Sequence, residues 1–242
     1  MKFSYSAVWD DTARMLRDNA SLLLAIAGAF LFLPALIVGY ALPQPDPEPG
    51  RIVGVMIAYF SVNWHWLLLA NIVNMIGAIA MLLLLVGAER RTVGSAIVAA
   101  LSILPFYFVA AILTNILVIL GLIALIVPGL YLIGRLAVVG TVIVAENQNP
   151  GRAIGRSFML TKGKGWVVFG LLALVLLAGI IVSWAVTAVL GSVSLLILGD
   201  RIGGLLVIIF DALTSALLST IIVVLCAAIY RRLAGSGERP VN

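Results

Sequence analysis

Two charged residues stand inside long apolar stretches of this sequence and are its best candidates for chemistry: Arg135 and Asp211. A charge in hydrocarbon is costly, so it usually pairs or faces water or the interior of a bundle. Counted from the turn or loop before each helix, both residues would lie about 8 Å along it, at roughly 1.5 Å per residue. The spacing predicts an Arg135–Asp211 ion pair. The favoured role is fixing helix register, and the alternative is a substrate or proton site.

Two asparagines form a second candidate site. Asn71 and Asn74 are one helical turn apart within an apolar stretch, so they share a helix face. The favoured interpretation is hydrogen bonding between helices, which is common in membrane bundles. The alternative is a polar cavity that opens outward and is shared with Arg135 and Asp211.

A basic cluster follows the helix-start signal Asn149-Pro150. The cluster comprises Arg152, Arg156, Lys162 and Lys164. Part of its meaning is topology, because basic loops stay in the cytoplasm. The same residues are candidates for contacts with anionic lipid headgroups, each worth about 1 kcal/mol near such a surface. Glu146 would pair with Arg152 or favour the start of the helix.

Signatures of catalysis are absent from the sequence. There is no phosphate-binding glycine loop and no nucleophile elbow. No cluster of histidine, cysteine and carboxylate residues has the spacing of metal ligands, and His65 is the single histidine. The sequence predicts a protein without enzymatic activity, metal or cofactor. The net charge of +5 resides largely in short loops, so it does not indicate a nucleic-acid partner.

The elements that carry these residues are hydrophobic to a degree that a water-soluble domain is not. The chain of 242 residues is 63% hydrophobic and 10% charged, against about half and about a quarter in soluble domains. This composition predicts an all-α integral membrane bundle of about six transmembrane helices, with short amphipathic interfacial helices on the cytoplasmic side. The predicted spans are 22–41, 64–86, 106–126, 130–145, 166–190 and 205–228. They form one domain, 1–233, and residues 234–242 would be a disordered tail.

Proline and glycine suggest where these spans are interrupted. Pro34 should kink the first span. Residues 52–60 would form an interfacial helix before the second span, although 52–62 could also belong to that span. Pro105 would separate a surface helix at 94–101 from the third span. A loop would connect the last two spans at 191–201. Surface helices before the first, third and fifth spans would make a weak threefold repeat, although any amphipathic helix shares their composition.

The distribution of positive charge predicts the orientation. With six spans, twelve of the fifteen Lys and Arg residues fall on the side of the N-terminus. Arg51 and Arg201 fall on the opposite side. Because positive loops are retained in the cytoplasm, we expect a multi-pass protein of the inner (cell) membrane with both termini cytoplasmic.

One segment resembles a known family. Its residues are Pro128-Gly129-Leu130-Tyr131, Arg135, Glu146, Pro150, Ala153-Ile154, Arg156-Ser157 and Leu160-Thr161-Lys162-Gly163. This pattern, with Tyr230-Arg231-Arg232-Leu233 near the end, resembles the bacterial membrane-domain family named after glycerophosphoryl diester phosphodiesterases. The resemblance implies a six-span membrane part that sometimes carries a soluble phosphodiesterase domain. That domain, with its histidines and metal, has no counterpart here, so the family name implies no such activity.

The function expected from the sequence is therefore non-enzymatic. The chain would organise lipids or partner proteins at the cytoplasmic membrane, with anionic headgroups as its expected lipid contacts. The alternative is a small transporter or lipid-handling protein with a polar cavity near the outer leaflet. Protein partners and oligomeric state are left open.

Overall fold

The computed structural model describes residues 4–42, 50–87 and 91–237, and within these ranges the chain is all-α. The helices are α1 Tyr5–Asp18, α2 Ala20–Ala41, α3 Ile52–Val86, α4 Val93–Ala124, α5 Ile126–Leu136, α6 Val139–Glu146, α7 Pro150–Leu160, α8 Gly165–Gly199 and α9 Arg201–Gly235.

Six segments are long and apolar enough to cross a membrane. They are α2, α3, α4, the pair α5–α6, α8 and α9. The prediction of an all-α bundle with six spans is confirmed. The chain is a multi-pass membrane protein, and most of its large exposed side chains, such as Leu196 and Ile197, are apolar as lipid contact requires.

The predicted boundaries of several spans are wrong. α3 runs unbroken through 52–62, which confirms the alternative that this segment belongs to the second span and not to a separate interfacial helix. α4 runs unbroken through Pro105, so no separate surface helix exists at 94–101. Membrane bundles tolerate proline within a helix because neighbouring groups re-satisfy the freed backbone. The proposed threefold repeat therefore lacks its middle surface helix.

The last two spans form a longer hairpin than expected. α8 continues through the predicted 191–201 loop and ends at Gly199, whose positive φ of 73° makes the turn into α9. Helical backbone continues beyond the membrane-spanning part of α9 to Gly237, so residues 234–237 are helical and the predicted disorder is wrong there. Residues 238–242 and the proline-rich stretch 43–49 lie outside the described residues.

Two of the spans contain an irregularity that has a physical cause. In α2 a π-helical turn, Gly28–Phe32, precedes Pro34 and accommodates the residue that cannot donate a backbone hydrogen bond. The predicted span 130–145 instead begins at Ile126 and is interrupted at residues 137–138, between α5 and α6. This interruption positions the site described below.

The two amphipathic helices pack on one end of the bundle. α1 buries Val8, Thr12 and Met15, a helical face directed at the hairpin. The Asp11 carboxylate accepts a hydrogen bond from Arg232 Nε at 2.5 Å, which joins α1 to the last turns of α9. We call this region, where Asp11, Glu146 and Arg232 lie, the packed end. Its core includes five of the eight residues of α6 and the completely buried Val224, Leu225 and Ile229.

Candidate functional site

The Arg135 guanidinium binds two backbone carbonyl groups at the end of α7. Its terminal nitrogens donate to Phe158 O at 2.7 Å and to Thr161 O at 3.1 Å. The last carbonyls of a helix have no partner inside the helix, and a basic side chain can satisfy them. Arg135 therefore caps α7 from the neighbouring helix α5.

The same two segments are also joined in the opposite direction. α5 ends at Leu136, and the Arg135 carbonyl accepts a hydrogen bond from Ser157 Oγ at 2.7 Å. Thr161 Oγ1 lies 3.2 Å from that carbonyl and 2.6 Å from Ser157 O. A carbonyl released by a helix break must be satisfied inside a membrane protein, and this one is approached by the hydroxyl groups of Ser157 in α7 and of Thr161, which follows it.

Aromatic rings and close helix packing enclose the Arg135 side chain. The guanidinium carbon lies 5.0 Å from the centroid of the Phe158 ring and 5.6 Å from that of Tyr131, within the range of cation–π contacts. A Cβ added at Gly134 would come within 2.1 Å of Gly165 O, so α5 and the start of α8 touch through backbone. We call the contacts of Arg135 with Ser157, Phe158 and Thr161 the Arg135 latch.

The predicted Arg135–Asp211 ion pair is wrong. Arg135 packs beside Gly165, the first residue of α8, whereas Asp211 is exposed and makes no side-chain contact with Arg135. In the hairpin Gly179 faces Leu218 and Gly191 faces Val207. Asp211 therefore lies about 30 Å beyond the level of Gly165, at roughly 1.5 Å per residue. The hairpin is longer than the sequence suggested, which separates the two charges.

Glu146 connects three segments at the packed end. Its carboxylate accepts hydrogen bonds from Arg156 Nε, at 3.0 Å and 3.2 Å, and from the Tyr230 hydroxyl at 3.0 Å. The expected pairing of Glu146 with Arg152 is wrong. Arg156, one helical turn later, forms the ion pair instead. Because the Arg156 side chain is 40% exposed, the ion pair adds little net stability and serves mainly to fix orientation.

The four residues of the basic cluster differ in their exposure and in their partners. Arg156 pairs with Glu146, and Lys164 is partly buried in the turn that Gly163 makes with a positive φ of 72°. Arg152 and Lys162, at the two ends of α7, are exposed. Within the part of the chain that the structure describes, no acidic side chain pairs with either of them. These two residues are the members of the cluster that are available to a headgroup.

Asn71 and Asn74 line a cavity of about 450 Å³ between α2, α3, α4 and α9. The polar lining is completed by Tyr107, Ser215 and Ser219. Neither Arg135 nor Asp211 lines this cavity, so the predicted sharing with those residues is wrong. Asp211 lies one helical turn before Ser215 on α9.

The sequence indicated only part of these sites. Ser157 and Thr161 belong to the segment that carries the family resemblance, but nothing in their type indicates a bond to a carbonyl more than 20 residues away. Ser215 and Ser219 are spaced by four residues in an apolar run, and that spacing could have indicated a polar face. Tyr107 and Tyr230 gave no such signal.

Comparisons with known proteins give no information about function, so the function is inferred from the geometry of the sites. No protein-family model, no curated protein and no solved structure matches this chain. In the described ranges 4–42, 50–87 and 91–237, no group of three or more His, Cys, Asp or Glu residues could hold a metal ion. Membership of the family that the 128–163 segment resembles stays a prediction.

Proposed function

We propose that this chain is a non-enzymatic protein of the inner membrane that organises lipids, or partner proteins that bind them, through α7. In this proposal the packed end faces the cytoplasm and α7 presents Arg152 and Lys162 to anionic headgroups. The proposal includes membership of the membrane-domain family that the sequence resembles.

The observation that carries the proposal is the way α7 is held. The Arg135 latch fixes its C-terminal end, and the Glu146–Arg156 pair fixes its middle. Ala153 and Ser157 are completely buried against the bundle, while Arg152 and Lys162 remain exposed. α7 is therefore held in place by its buried face and its bonds to the bundle, while two basic side chains at its ends remain exposed. Such a helix is suited to binding anions at a membrane surface.

The size of the expected effect follows from the two charges. Each Lys or Arg near an anionic surface contributes about 1 kcal/mol. Loss of both should therefore weaken binding of an anionic lipid by about 2 kcal/mol, or roughly thirtyfold. Neither residue contributes to the Arg135 latch, so the fold should remain unchanged.

We expect the double variant Arg152→Gln/Lys162→Gln to lose bound phosphatidylglycerol. Native mass spectrometry of protein released from mixed micelles of phosphatidylglycerol and phosphatidylethanolamine measures the retained lipid directly. The matched control is Arg14→Gln/Arg17→Gln, which removes two exposed charges from α1 instead. If both variants lost the same amount of phosphatidylglycerol, the effect would be one of overall charge and not of α7, which contradicts the proposal. If the α7 variant kept its phosphatidylglycerol, the proposal would also be contradicted.

The cavity favours a second candidate function, a small transporter or lipid-handling protein. A polar cavity of about 450 Å³ among membrane spans is within the size range of small-molecule sites. Polar side chains inside a span commonly lie on substrate paths. Flux of a solute into proteoliposomes would test this candidate, and the chemistry of the cavity defines which solute to use.

A further inference from the structure

The polar side chains that line the cavity have one property in common. Asn71 and Asn74 on α3, Tyr107 on α4, and Ser215 and Ser219 on α9 all reach it. Among the residues that the structure describes, none of these five side chains has a hydrogen-bond partner. Leaving an amide or a hydroxyl without a partner in an apolar environment costs several kcal/mol. Asn71, Ser215 and Ser219 are exposed, and Asn74 and Tyr107 are half-buried, so the cavity is open and water or a solute can reach these groups.

Several polar side chains elsewhere in the spans bond to their own helix, whereas Thr114 Oγ1 and Thr187 Oγ1 are buried without a partner among the described residues. Asn63 Nδ2 donates to Tyr59 O at 3.0 Å, and Asn115 Nδ2 donates to Ala111 O at 2.8 Å. Thr220 Oγ1 donates to Ala216 O at 2.8 Å, although it is the immediate neighbour of Ser219. This local bond is available to asparagine and serine in any helix. The five cavity-lining side chains do not form this bond, which leaves their donors and acceptors available to a ligand.

The charge of the lining restricts what the cavity can bind. No lysine, arginine, histidine or carboxylate lines it, and the remaining surface is apolar, with Leu31, Met75 and Val223 among its members. An ion there would lose its hydration without meeting an opposite charge. Amides and hydroxyls both donate and accept, so a ligand with several hydroxyl or amide groups suits them.

We propose that this cavity is a hydrated binding site for a small uncharged solute with several hydrogen-bonding groups, such as a polyol. The inference rests on the second candidate function and names its substrate class. It is independent of the anionic lipid contacts of α7.

Water access and charge preference are tested together by thiol labelling. Ser215→Cys places a thiol in the cavity, and Leu213→Cys places one two residues away on an exposed position that does not line it. Both are made with Cys226→Ala, which removes the native thiol. In nanodiscs we expect uncharged hydroxyethyl methanethiosulfonate to label Ser215→Cys at least tenfold faster than Leu213→Cys. Equal rates at the two positions would overturn the hydrated site.

Reagents of opposite charge define the ligand class. The positively charged and the negatively charged methanethiosulfonates should both label Ser215→Cys more slowly than the uncharged reagent, after correction for their rates with a free thiol. If the positively charged reagent reacted fastest, the Asp211 carboxylate one turn away would be attracting cations to the cavity. That result would contradict the proposal that the ligand is uncharged.

Protection by a probe solute separates binding from transport. Erythritol should slow labelling of Ser215→Cys at least threefold, whereas glycine betaine at the same osmolality, a zwitterion that donates no hydrogen bond, should not. Absence of protection by erythritol, or equal protection by betaine, overturns the proposed ligand class. Erythritol flux into proteoliposomes is measured separately. Protection without flux supports the site and contradicts the transporter candidate, and flux with protection supports both.

Discussion

Arg135 is a charged residue of a membrane protein that binds backbone carbonyl groups instead of a counter-ion. Its guanidinium uses donors in one plane to reach two carbonyls, and its faces meet the rings of Phe158 and Tyr131. A lysine has a compact ammonium group that lacks both the planar fork and the flat face. The site therefore requires arginine for its shape as well as its charge.

We expect Arg135→Lys to destabilise the protein by about 2 kcal/mol, because one carbonyl of α7 would lose a bond to a charged donor. Arg135→Gln should cost more, since the charge is also lost. Thermal unfolding in detergent, followed by tryptophan fluorescence, gives the order of the three proteins. Arg135→Lys with wild-type stability would show that the planar guanidinium is not required at this site.

Asp211 supplies the control for that experiment. Asp211→Asn should leave stability nearly unchanged, because the side chain is exposed and no described residue pairs with it. The double variant Arg135→Gln/Asp211→Asn should then cost the sum of the single changes, as distant sites do. A double variant milder than that sum would reinstate the ion pair that the structure excludes.

At the scale of elements, the contact between α5 and α8 depends on the absence of side chains. A Cβ at Gly134 would lie 2.1 Å from Gly165 O and 2.9 Å from the Phe169 backbone nitrogen. Because both of these atoms belong to backbone, relief requires the helices to move apart. That movement would also draw the start of α8 away from the turn that follows Thr161.

We expect Gly134→Ala to destabilise the fold by about 3 kcal/mol, the upper part of the range for overpacking. The matched control is Gly155→Ala, in the middle of α7, where an added Cβ meets nothing within 4 Å. That change should be neutral or stabilise by about 0.5–1 kcal/mol, because alanine favours helix over glycine. Equal unfolding temperatures for the two variants would contradict the close approach of α5 and α8.

The elements show what the sequence could and could not predict. Uncharged runs fixed the number of spans, because nothing but a helix satisfies its own backbone in lipid. The ends of α3, α4 and α8 were missed because a helix that is apolar all round has no periodicity to mark its surface-exposed turns. The partners of Arg135 could not be predicted either, since every residue carries the carbonyl group that it binds.

At the scale of the whole molecule, the contacts collect three distant parts of the chain at one end. The Asp11–Arg232 and Glu146–Tyr230 bonds bring α1, the α6–α7 connection and the end of α9 together. The turn of the α8–α9 hairpin lies at the opposite end, because the hairpin is aligned along its length by Gly179–Leu218 and Gly191–Val207. The orientation in the membrane reduces to one question: which end faces the cytoplasm.

Labelling from each side of the membrane answers that question. In a Cys226→Ala background, cysteines replacing Arg14 and Lys162 should react with an impermeant thiol reagent only in inside-out vesicles. A cysteine replacing Arg201, beside the hairpin turn, should react only in right-side-out vesicles. All three positions are exposed, so differences in reaction report sidedness rather than burial. If positions 14 and 162 label from opposite sides, the six-span arrangement itself is contradicted. If they label together from outside, the arrangement remains but the positive charges no longer mark the cytoplasmic side, and the proposed contact of α7 with cytoplasmic lipid is contradicted.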